Sequence, residues 1–269
     1  MLERERHRLI LKLVTERSVV SVTELVDMLD ASEATIRRDI VALADRGELK
    51  RVRGGAEALR PRHKAHLVGV PFNVNMEVAV PEKRAIARAA AALVEPGDSI
   101  IINGGTTTWR LVEFLRELDL DILTNSFPIA ADLLATARSR ITLPGGTIYP
   151  EQNIILSPYE EADAVAHFSG RIMFTGAYGI GRAGLLETDP LIVQSECRLL
   201  RRAERLVVMA DASKLRRHSS MVVAPLDRVD VLVTDDAATE ADLAPLRDAG
   251  VEVVVAEVTA EDRALEVAA

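Results

Sequence analysis

The chain has 269 residues, of which 48% are hydrophobic, and a formal net charge of −8. That length suffices for one large domain and a smaller one, and no apolar run approaches the roughly 18 residues that a membrane span needs. The charged N-terminus predicts no signal peptide, and the single cysteine, Cys197, excludes an internal disulfide framework. We therefore expect a cytoplasmic protein without membrane association. The spacing of the five histidines predicts no metal site, and no other cofactor is expected.

The charge is distributed unevenly along the chain. Residues 1–64 contain 14 Lys and Arg against 11 Asp and Glu, a net +3, so the remainder contains 19 against 30, a net −11. A mildly basic segment joined to an acidic body is typical of a DNA-binding module attached to a domain that does not bind DNA. A chance distribution of surface charge is the alternative.

Three helical patterns precede Gly47, which ends the third of them. Ser21 and Ser32 are the expected N-caps of the second and third helices. After Gly47, the stretch "ELKRVRGG" reads as a two-stranded wing. This order predicts a winged helix-turn-helix. The apolar stripes of the first two helices are Leu9, Ile10, Leu13, Val14 and Val22, Leu25, Val26, Leu29.

The third helix has an apolar face and an opposite arc of small and basic residues. Ile36, Ile40 and Leu43 lie within about 60° of one another at 100° per residue. An arginine pair on the opposite arc, near the helix N-terminus, suits a recognition helix in the major groove, whereas an isolated pair would more often be a solvated face. The expected DNA-binding residues are Ser32, Thr35, Arg37 and Arg38 in the helix and Lys50, Arg51 and Arg53 in the wing.

The segment "SVTELVDMLDASEATIRRDIVALADRGELKRVRGGA" resembles the winged helix of the DeoR family of bacterial transcription regulators. The resemblance rests on Ser32 followed, after two variable residues, by Thr-Ile-Arg-Arg-Asp. It implies a DNA-binding domain over residues 1–57. Residues 58–81 are proline-containing with weak periodicity and predict a linker, and residues 82–269 form the remaining domain.

Strands and helices alternate in this second domain. A helix opened by Pro81 and ended before Pro96 comes first. Further helices are expected near 108–118, 127–137, 190–203 and 240–249. The alternation predicts a doubly wound, mostly parallel α/β sheet. Its expected strands are 99–103, 121–124, 140–143, 171–174, 205–210, 230–234 and 252–256.

Polar stretches follow several of these strands at their carboxyl ends, where ligands of such sheets bind. They are "GGTTT", "NSF", "PGGT", "TGAYGIG" and "DASK". A glycine turn, hydroxyl groups and a helix N-terminus together suit a phosphate, although glycine turns also occur wherever strands meet helices. The pattern GxxxxGK[ST] does not occur, so a nucleoside triphosphate is a poor fit.

The resemblance to the DeoR family continues through "KRAIARAAAALVEPGDSIIINGGTTT", "LTNSFPIA", "LPGGTI", "TGAYGI" and "ADASK" and covers nearly the whole chain. It implies an effector domain that is similar to ribose-5-phosphate isomerase and senses phosphorylated sugars. "NIILSPYE" and "MFTGAYGIGRAGLLETDPL" resemble a branch that includes regulators of L-ascorbate and L-rhamnose use. Asn103 stands where the family usually has aspartate. The implied effector-binding residues are Asn103, Gly104, Gly105, Thr106, Thr107, Thr108, Asn125, Ser126, Gly145, Gly146 and Lys214.

These features predict a repressor of a carbohydrate catabolic operon that a phosphorylated sugar or sugar acid releases from double-stranded operator DNA. An isomerase-like enzyme is one alternative, with acid–base candidates Glu187, Asp189, Glu196 and Asp211. A ligand-independent DNA-binding structural protein is another. Because one short recognition helix reads only a few base pairs, we expect a homo-oligomer, a dimer or a tetramer.

Overall fold

A computed structural model describes residues 1–59, 67, 69–157 and 164–264. Its contacts divide the chain into two compact units, Met1–Asn75 and Met76–Ala269. Most of the expected linker's first half lies outside the described residues, and the domain boundaries stay a prediction. Within the described ranges, no helix is long and apolar enough to cross a membrane.

The first unit is a winged helix-turn-helix, as the sequence predicts. Its sheet has the order β1-β3-β2, with both pairs antiparallel. Strand β1 was not expected, because three residues give too little alternation to mark a strand. The elements are α1 (Glu3–Arg17), β1 (Val19–Ser21), α2 (Val22–Leu29), α3 (Glu33–Asp45), β2 (Lys50–Val52), β3 (Gly55–Glu57) and α4 (Phe72–Asn75).

Serine caps set the starts of α2 and α3. The hydroxyl of Ser21 accepts a hydrogen bond from the Glu24 backbone N–H (3.2 Å), and the Ser21 N–H donates to the Glu24 carboxylate (2.8 Å), which completes a capping box. The hydroxyl of Ser32 accepts from the Thr35 N–H (3.2 Å). Asp30 makes the turn between the two helices in the left-handed region, with φ 47°. The recognition helix therefore begins where the sequence predicts.

The second unit is built on a parallel sheet of seven strands, and each of the seven expected strands is present within two residues of its predicted ends. These are β4 (Ser99–Ile102), β5 (Asp121–Thr124), β6 (Arg140–Thr142), β9 (Gly170–Thr175), β12 (Ala203–Met209), β14 (Val231–Asp235) and β15 (Glu252–Ala256). Two small antiparallel sheets were not expected. They comprise β7 (Thr147–Tyr149) with β8 (Ile154–Leu156), and β10 (Gly179–Gly181), β11 (Gly184–Glu187) and β13 (Met221–Ala224).

Helices cover both faces of the seven-stranded sheet. Ile100 and Ile102 of β4 contribute to one hydrophobic core and Ile101 to the other, because successive strand residues point to opposite faces. The first core is covered by α5 (Val80–Ala91), α6 (Thr106–Trp109), α7 (Val112–Leu115) and α8 (Phe127–Thr136), and the second by α9 (Pro190–Leu200) and α10 (Glu240–Asp248). The last helix, α11 (Ala260–Ala264), packs against α5.

The helix expected over 108–118 is divided into α6 and α7. At the junction, the N–H groups of Arg110 and Leu111 donate to the carbonyls of Thr107 and Thr108, at 3.2 Å and 3.1 Å. These bonds span three residues rather than four, so the helical path tightens at that point. The apolar periodicity alone does not reveal such a tightening.

The strand order β15-β14-β12-β9-β4-β5-β6 places a reversal between β4 and β9. From β4 the chain moves outward to β5 and β6, and it then returns to the other side of β4 to form β9 and the remaining strands. Loops that leave the two central strands therefore diverge, and a crevice opens at their carboxyl ends. This topological switch point is where a ligand of the second unit is expected.

Candidate DNA interface and effector site

The exposed face of α3 and the wing together form a basic surface, termed the reading surface. Six of the predicted DNA-binding residues are exposed, namely Ser32, Arg37, Arg38, Lys50, Arg51 and Arg53, and Thr35 is half-buried. A groove runs between α3 and the wing. Its lining includes Arg37, Val41, Arg51, Arg53 and the two wing glycines. The fold thus brings arginines from separate elements to one groove.

Two of the predicted DNA-binding residues, Arg37 and Lys50, have acidic neighbours. Arg37 Nε donates to Glu33 Oε1 (2.9 Å) one helical turn away, and Lys50 Nζ lies 3.2 Å from Glu57 Oε2 across the wing. Exposed ion pairs of this kind contribute at most about 1 kcal/mol, so a phosphate can replace the acidic partner. Ser32, in contrast, already caps α3 with its hydroxyl.

In the second unit, residues Asn103 to Thr108 follow β4 and are termed the phosphate loop, after the ligand that the sequence predicts for them. The Asn103 side-chain amide donates to Thr175 Oγ1 (2.9 Å) and to Glu196 Oε1 (2.6 Å). Thr175 ends β9, so the first of these bonds spans the switch point. An amide nitrogen has two hydrogens, and both are used here. Asn103 thereby joins β4, β9 and α9 beneath the loop.

Asn125 and Thr108 hold the phosphate loop in shape. The Gly104 N–H donates to Asn125 Oδ1 (2.7 Å), and the Thr108 hydroxyl donates to the Asn103 carbonyl (2.7 Å). The first backbone bond of α6 joins the Trp109 N–H to the Gly105 carbonyl (2.9 Å). The Thr107 N–H therefore lies in the first turn of α6, where the helix itself offers no acceptor.

A buried lysine of α5 lies near the phosphate loop. Lys83 is 2% exposed, and α5 packs directly against α6. Burial, followed by the positive charge of Lys214, lowers the pKa of Lys83 to about 7, while the charge of Asp211 opposes the shift. Two lysines are thus close enough to repel each other, and an anion between them would relieve that repulsion.

Asp211 and Lys214 both lie in the segment after β12, where Ala212–Arg216 forms a 3₁₀ helix. Burial would raise the pKa of Asp211, but the charge of Lys214 and a hydrogen bond from Ser213 hold it below its ordinary value. Burial lowers the pKa of Lys214, and Asp211 and Glu187 oppose that change. Lys83, Glu187, Asp211 and Lys214 therefore form one interacting set, termed the charged cluster.

Glu196 is the buried acid of this site. Burial, followed by the charge of Glu187, raises its pKa well above the ordinary value, and the hydrogen bond from Asn103 opposes the rise. Burial also raises the pKa of Glu187. Glu196 therefore belongs to the same hydrogen-bond network as Asn103 and Thr175.

Two predicted effector-binding residues, Ser126 and Gly146, have structural roles that involve no ligand. Ser126 caps α8 by accepting a hydrogen bond from the Ile129 N–H (3.4 Å). Gly146 has φ +149°, and a Cβ atom there would lie 2.3 Å from the Leu156 carbonyl oxygen. Gly145 is exposed beside it. Their assignment to the effector stays a prediction.

Lys83 was not predicted as a site residue, although the small number of lysines in the chain could have pointed to it. The chain has only five lysines among 33 basic residues, and two of the five meet in the charged cluster. The partners of Asn103 were not predicted either, since Thr175 and Glu196 come together only when the sheet forms.

Comparison with protein families gives two matches that together span most of the chain. The DeoR-like helix-turn-helix domain matches residues 6–62, and the DeoR C terminal sensor domain matches residues 78–236. The chain belongs to the DeoR family. The family predicted from the winged helix and the GGTTT region is therefore confirmed.

Full-length relatives share this architecture. The HTH-type transcriptional regulator UlaR of Shigella sonnei (strain Ss046) is 35% identical over 257 residues, which cover 94% of this chain and 99% of the relative. UlaR of Escherichia coli O1:K1 is 34% identical with the same coverage. The DeoR-family protein is accordingly a DNA-binding transcriptional regulator and not an enzyme.

Solved structures resemble the chain only distantly. Ribose 5-phosphate isomerase A from Methanocaldococcus jannaschii has a TM-score of 0.37 and 18% identity, covering 49% of this chain and 52% of the isomerase. Translation initiation factor eIF-2B from Pyrococcus horikoshii OT3 has a TM-score of 0.42 and 13% identity, covering 87% and 82%.

Replacing Lys83 by methionine should stabilise the second unit most at neutral and mildly acidic pH. Burial holds the pKa of Lys83 at about 7 instead of 10.5. The penalty for a buried charge is therefore complete below about pH 7 and disappears as the pH rises towards 10.5, because the unfolded state binds more protons in that interval. At about 1.4 kcal/mol per pKa unit, Lys83→Met should raise the free energy of unfolding by roughly 2–4 kcal/mol near pH 6.5 and by much less near pH 9.5.

Urea unfolding at the two pH values, followed by fluorescence of Trp109, reports on this unit, since Trp109 is the one tryptophan of the chain and lies in α6. Lys50→Met, an exposed lysine of the other unit, serves as the control and should change stability by less than about 0.5 kcal/mol. A stabilisation by Lys83→Met that is equal at both pH values would contradict the assignment.

Proposed function

We propose that this regulator is a repressor of a carbohydrate catabolic operon, and that a phosphorylated sugar or sugar acid releases it from operator DNA. The observation that carries the proposal is the phosphate loop at the switch point, with the buried Lys83 and the half-buried Lys214 of the charged cluster near it. UlaR, a regulator of L-ascorbate utilisation, is among the relatives and supports an effector derived from a sugar or sugar acid.

The effector's phosphate binds, in this proposal, at Gly105, Thr106 and Thr107. Their backbone N–H groups begin α6, and hydroxyl and N–H donors at a helix start suit an anion. Lys83 and Lys214 neutralise the phosphate charge. Asn103, Gly104, Thr108 and Asn125 hold the loop in the binding geometry, as their mutual hydrogen bonds support.

The proposal is tested by a thermal-shift screen of phosphorylated sugars and sugar acids on the full-length protein. Compounds that raise the melting temperature are then titrated into a complex of the protein with its operator. At least one should both stabilise the protein and release the DNA. A ligand-independent DNA-binding protein would show neither effect with any compound, and that result would overturn the proposal.

The first unit contacts operator DNA through the reading surface. Arginines at the exposed face of α3 suit the major groove, and Arg51 and Arg53 of the wing suit phosphates or the minor groove. Ser32 caps the start of α3, Thr35 lies in the first turn of that helix, and Lys50 begins β2 of the wing. Because its target is the bacterial chromosome, the protein acts in the cytoplasm.

Substitutions on the reading surface should separate base contacts from phosphate contacts. Arg38→Ala should weaken operator binding by roughly 1–3 kcal/mol if the side chain reads a base. Arg53→Ala should weaken binding to all sequences alike and reduce the salt dependence, because it removes a phosphate contact. Fluorescence anisotropy with operator and unrelated DNA at several salt concentrations measures both effects. Unchanged affinity in both variants would exclude this surface.

Substitutions at the phosphate loop and the charged cluster should yield a repressor that binds DNA but resists release. Thr107→Val keeps the side-chain shape and removes one hydroxyl donor, at a cost of roughly 1–3 kcal/mol to effector binding. Lys214→Ala removes a charge facing a dianion and should cost at least as much. Each variant should need about ten-fold or more effector for release, since 1.4 kcal/mol is a factor of ten.

The measurement is a release titration with a compound from the screen, beside a melting curve that confirms folding. Thr136→Val is the matched control, because Thr136 is exposed on α8 and its hydroxyl bonds only to the Asp132 carbonyl among the described contacts. It should release at the wild-type effector concentration. If Thr107→Val and Lys214→Ala do so as well, the loop is not the phosphate site.

We further propose a homo-oligomer, dimer or tetramer, held mainly by the second unit. One recognition helix reads only a few base pairs, so useful sequence specificity needs two winged helix-turn-helix domains bound to repeated half-sites. A deletion of residues 1–60 should therefore still sediment as a dimer or larger species at micromolar concentration. Sedimentation of this fragment as a monomer would contradict the proposal.

A further inference from the structure

A buried carboxylate anchors the middle of the recognition helix. Asp39 is 3% exposed and follows directly on the exposed Arg37 and Arg38 of the reading surface. From α1, Arg6 donates to it through two nitrogens, Nε to Oδ2 and Nη2 to Oδ1 (3.1 Å). His7 Nε2 lies 3.0 Å from Asp39 Oδ1. Two consecutive residues of α1 thus hold one carboxylate of α3.

The same chain of contacts reaches the end of the recognition helix and the approach to the wing. Arg46 Nη2 lies 3.1 Å from His7 Nδ1, and Arg46 Nε donates to Glu48. A guanidinium has donors only, so His7 Nδ1 accepts here and its Nε2 carries the hydrogen that goes to Asp39. Arg46 is the C-cap of α3, and Glu48 lies two residues before β2.

An apolar residue at position 39 would fill the same buried space at a lower free-energy cost than a carboxylate. Buried ion pairs often stabilise a fold no better than well-packed hydrophobic residues do. A two-nitrogen contact between arginine and carboxylate, however, fixes direction as well as distance. Burial would raise the pKa of Asp39, yet the hydrogen bonds from Arg6 and His7 hold it below its ordinary value, so the carboxylate is charged at neutral pH.

We propose that Asp39 is a positioning residue that fixes α3 against α1, so that operator discrimination depends on it more than DNA affinity in general. Base contacts need the recognition helix in one orientation, whereas phosphate contacts carry no sequence information. The other buried side chains of α3, such as Ile36 and Leu43, contribute apolar packing, which does not fix the orientation of the helix in the same way. The inference rests on the proposed reading surface, which Arg38→Ala tests separately in the same assay.

The experiment compares two DNA duplexes of equal length and composition. One is enriched by the wild-type protein from a random-sequence library, and the other is its scrambled version. Asp39→Asn keeps the shape of the side chain and removes its charge. Asp27→Asn, exposed on α2, is the control with the same charge change. A second variant, Arg6→Met with Asp39→Leu, replaces the ion pair by apolar packing.

Asp39→Asn should lower the ratio of selected-duplex to scrambled-duplex affinity by about ten-fold or more, of the order of one or two mismatched base pairs. Binding to the scrambled duplex and its salt dependence should stay as in the wild type, because no phosphate contact is lost. Asp27→Asn should retain the wild-type ratio. The apolar variant should fold, judged by its melting curve, and show the same reduced ratio.

Three results would overturn the proposal. The first is a wild-type ratio in either folded variant. The second is an equal loss of affinity for both duplexes, which would indicate a role in stability alone. The third is failure of both variants to fold, which would make Asp39 a requirement of the fold itself. If Arg38→Ala also leaves the ratio of selected-duplex to scrambled-duplex affinity unchanged, the result contradicts the proposed reading surface as well as the positioning role of Asp39.

Discussion

The two central strands, β4 and β9, impose the constraint on which the second unit depends. β4 and β9 are neighbours in the sheet, but the chain leaves them towards opposite edges, so the loops after them diverge at their carboxyl ends. The polar groups at these carboxyl ends must therefore form hydrogen bonds with one another. The hydrogen bond from Asn103 to Thr175 does this across the reversal, and the phosphate loop takes its geometry from that bond and from Asn125.

Both units keep a charged residue where an apolar one would favour stability. Lys83 lies in the interior beside α6, and Asp39 lies on the inner face of the recognition helix. Burial of a charge costs several kcal/mol unless partners compensate, and functional sites commonly retain such costs. Asp39 has its compensation in Arg6 and His7. For Lys83 the charge of Asp211 is favourable, and the next residue of α5, Arg84, is anchored by Glu113 and Asp262.

The anchoring of α5 matters because this helix carries a site residue close to the start of the second unit. Arg84 Nη1 donates to the fully buried Asp262 of α11 (2.8 Å), and Arg88 Nη1 donates to both oxygens of the same carboxylate. These contacts join the first helix of the unit to its last described one. Lys83 therefore has a fixed backbone from which to meet an anion.

Much of the architecture could be predicted from the sequence because it follows from local patterns. The runs "III" (100–102) and "VLV" (231–233) are apolar throughout, as is typical of strands buried on both faces, and the Ser21 and Ser32 caps mark helix starts. The strands β1, β7 and β8 have only three residues each, which is too short for a pattern to mark them as strands. Lys83 and the partners of Asn103 escaped prediction because their environment arises from residues about 70 to 130 positions away in the chain.

In the proposed switch, the protein binds either operator DNA or effector tightly, but not both. Thermodynamic linkage makes this directly measurable, because two ligands must change each other's affinity by the same factor. Effector affinity should be determined by calorimetry with and without saturating operator, and operator affinity with and without saturating effector. We expect equal factors of about ten or more, in the unfavourable direction. An effector that binds the free and the DNA-bound protein equally well would contradict the account.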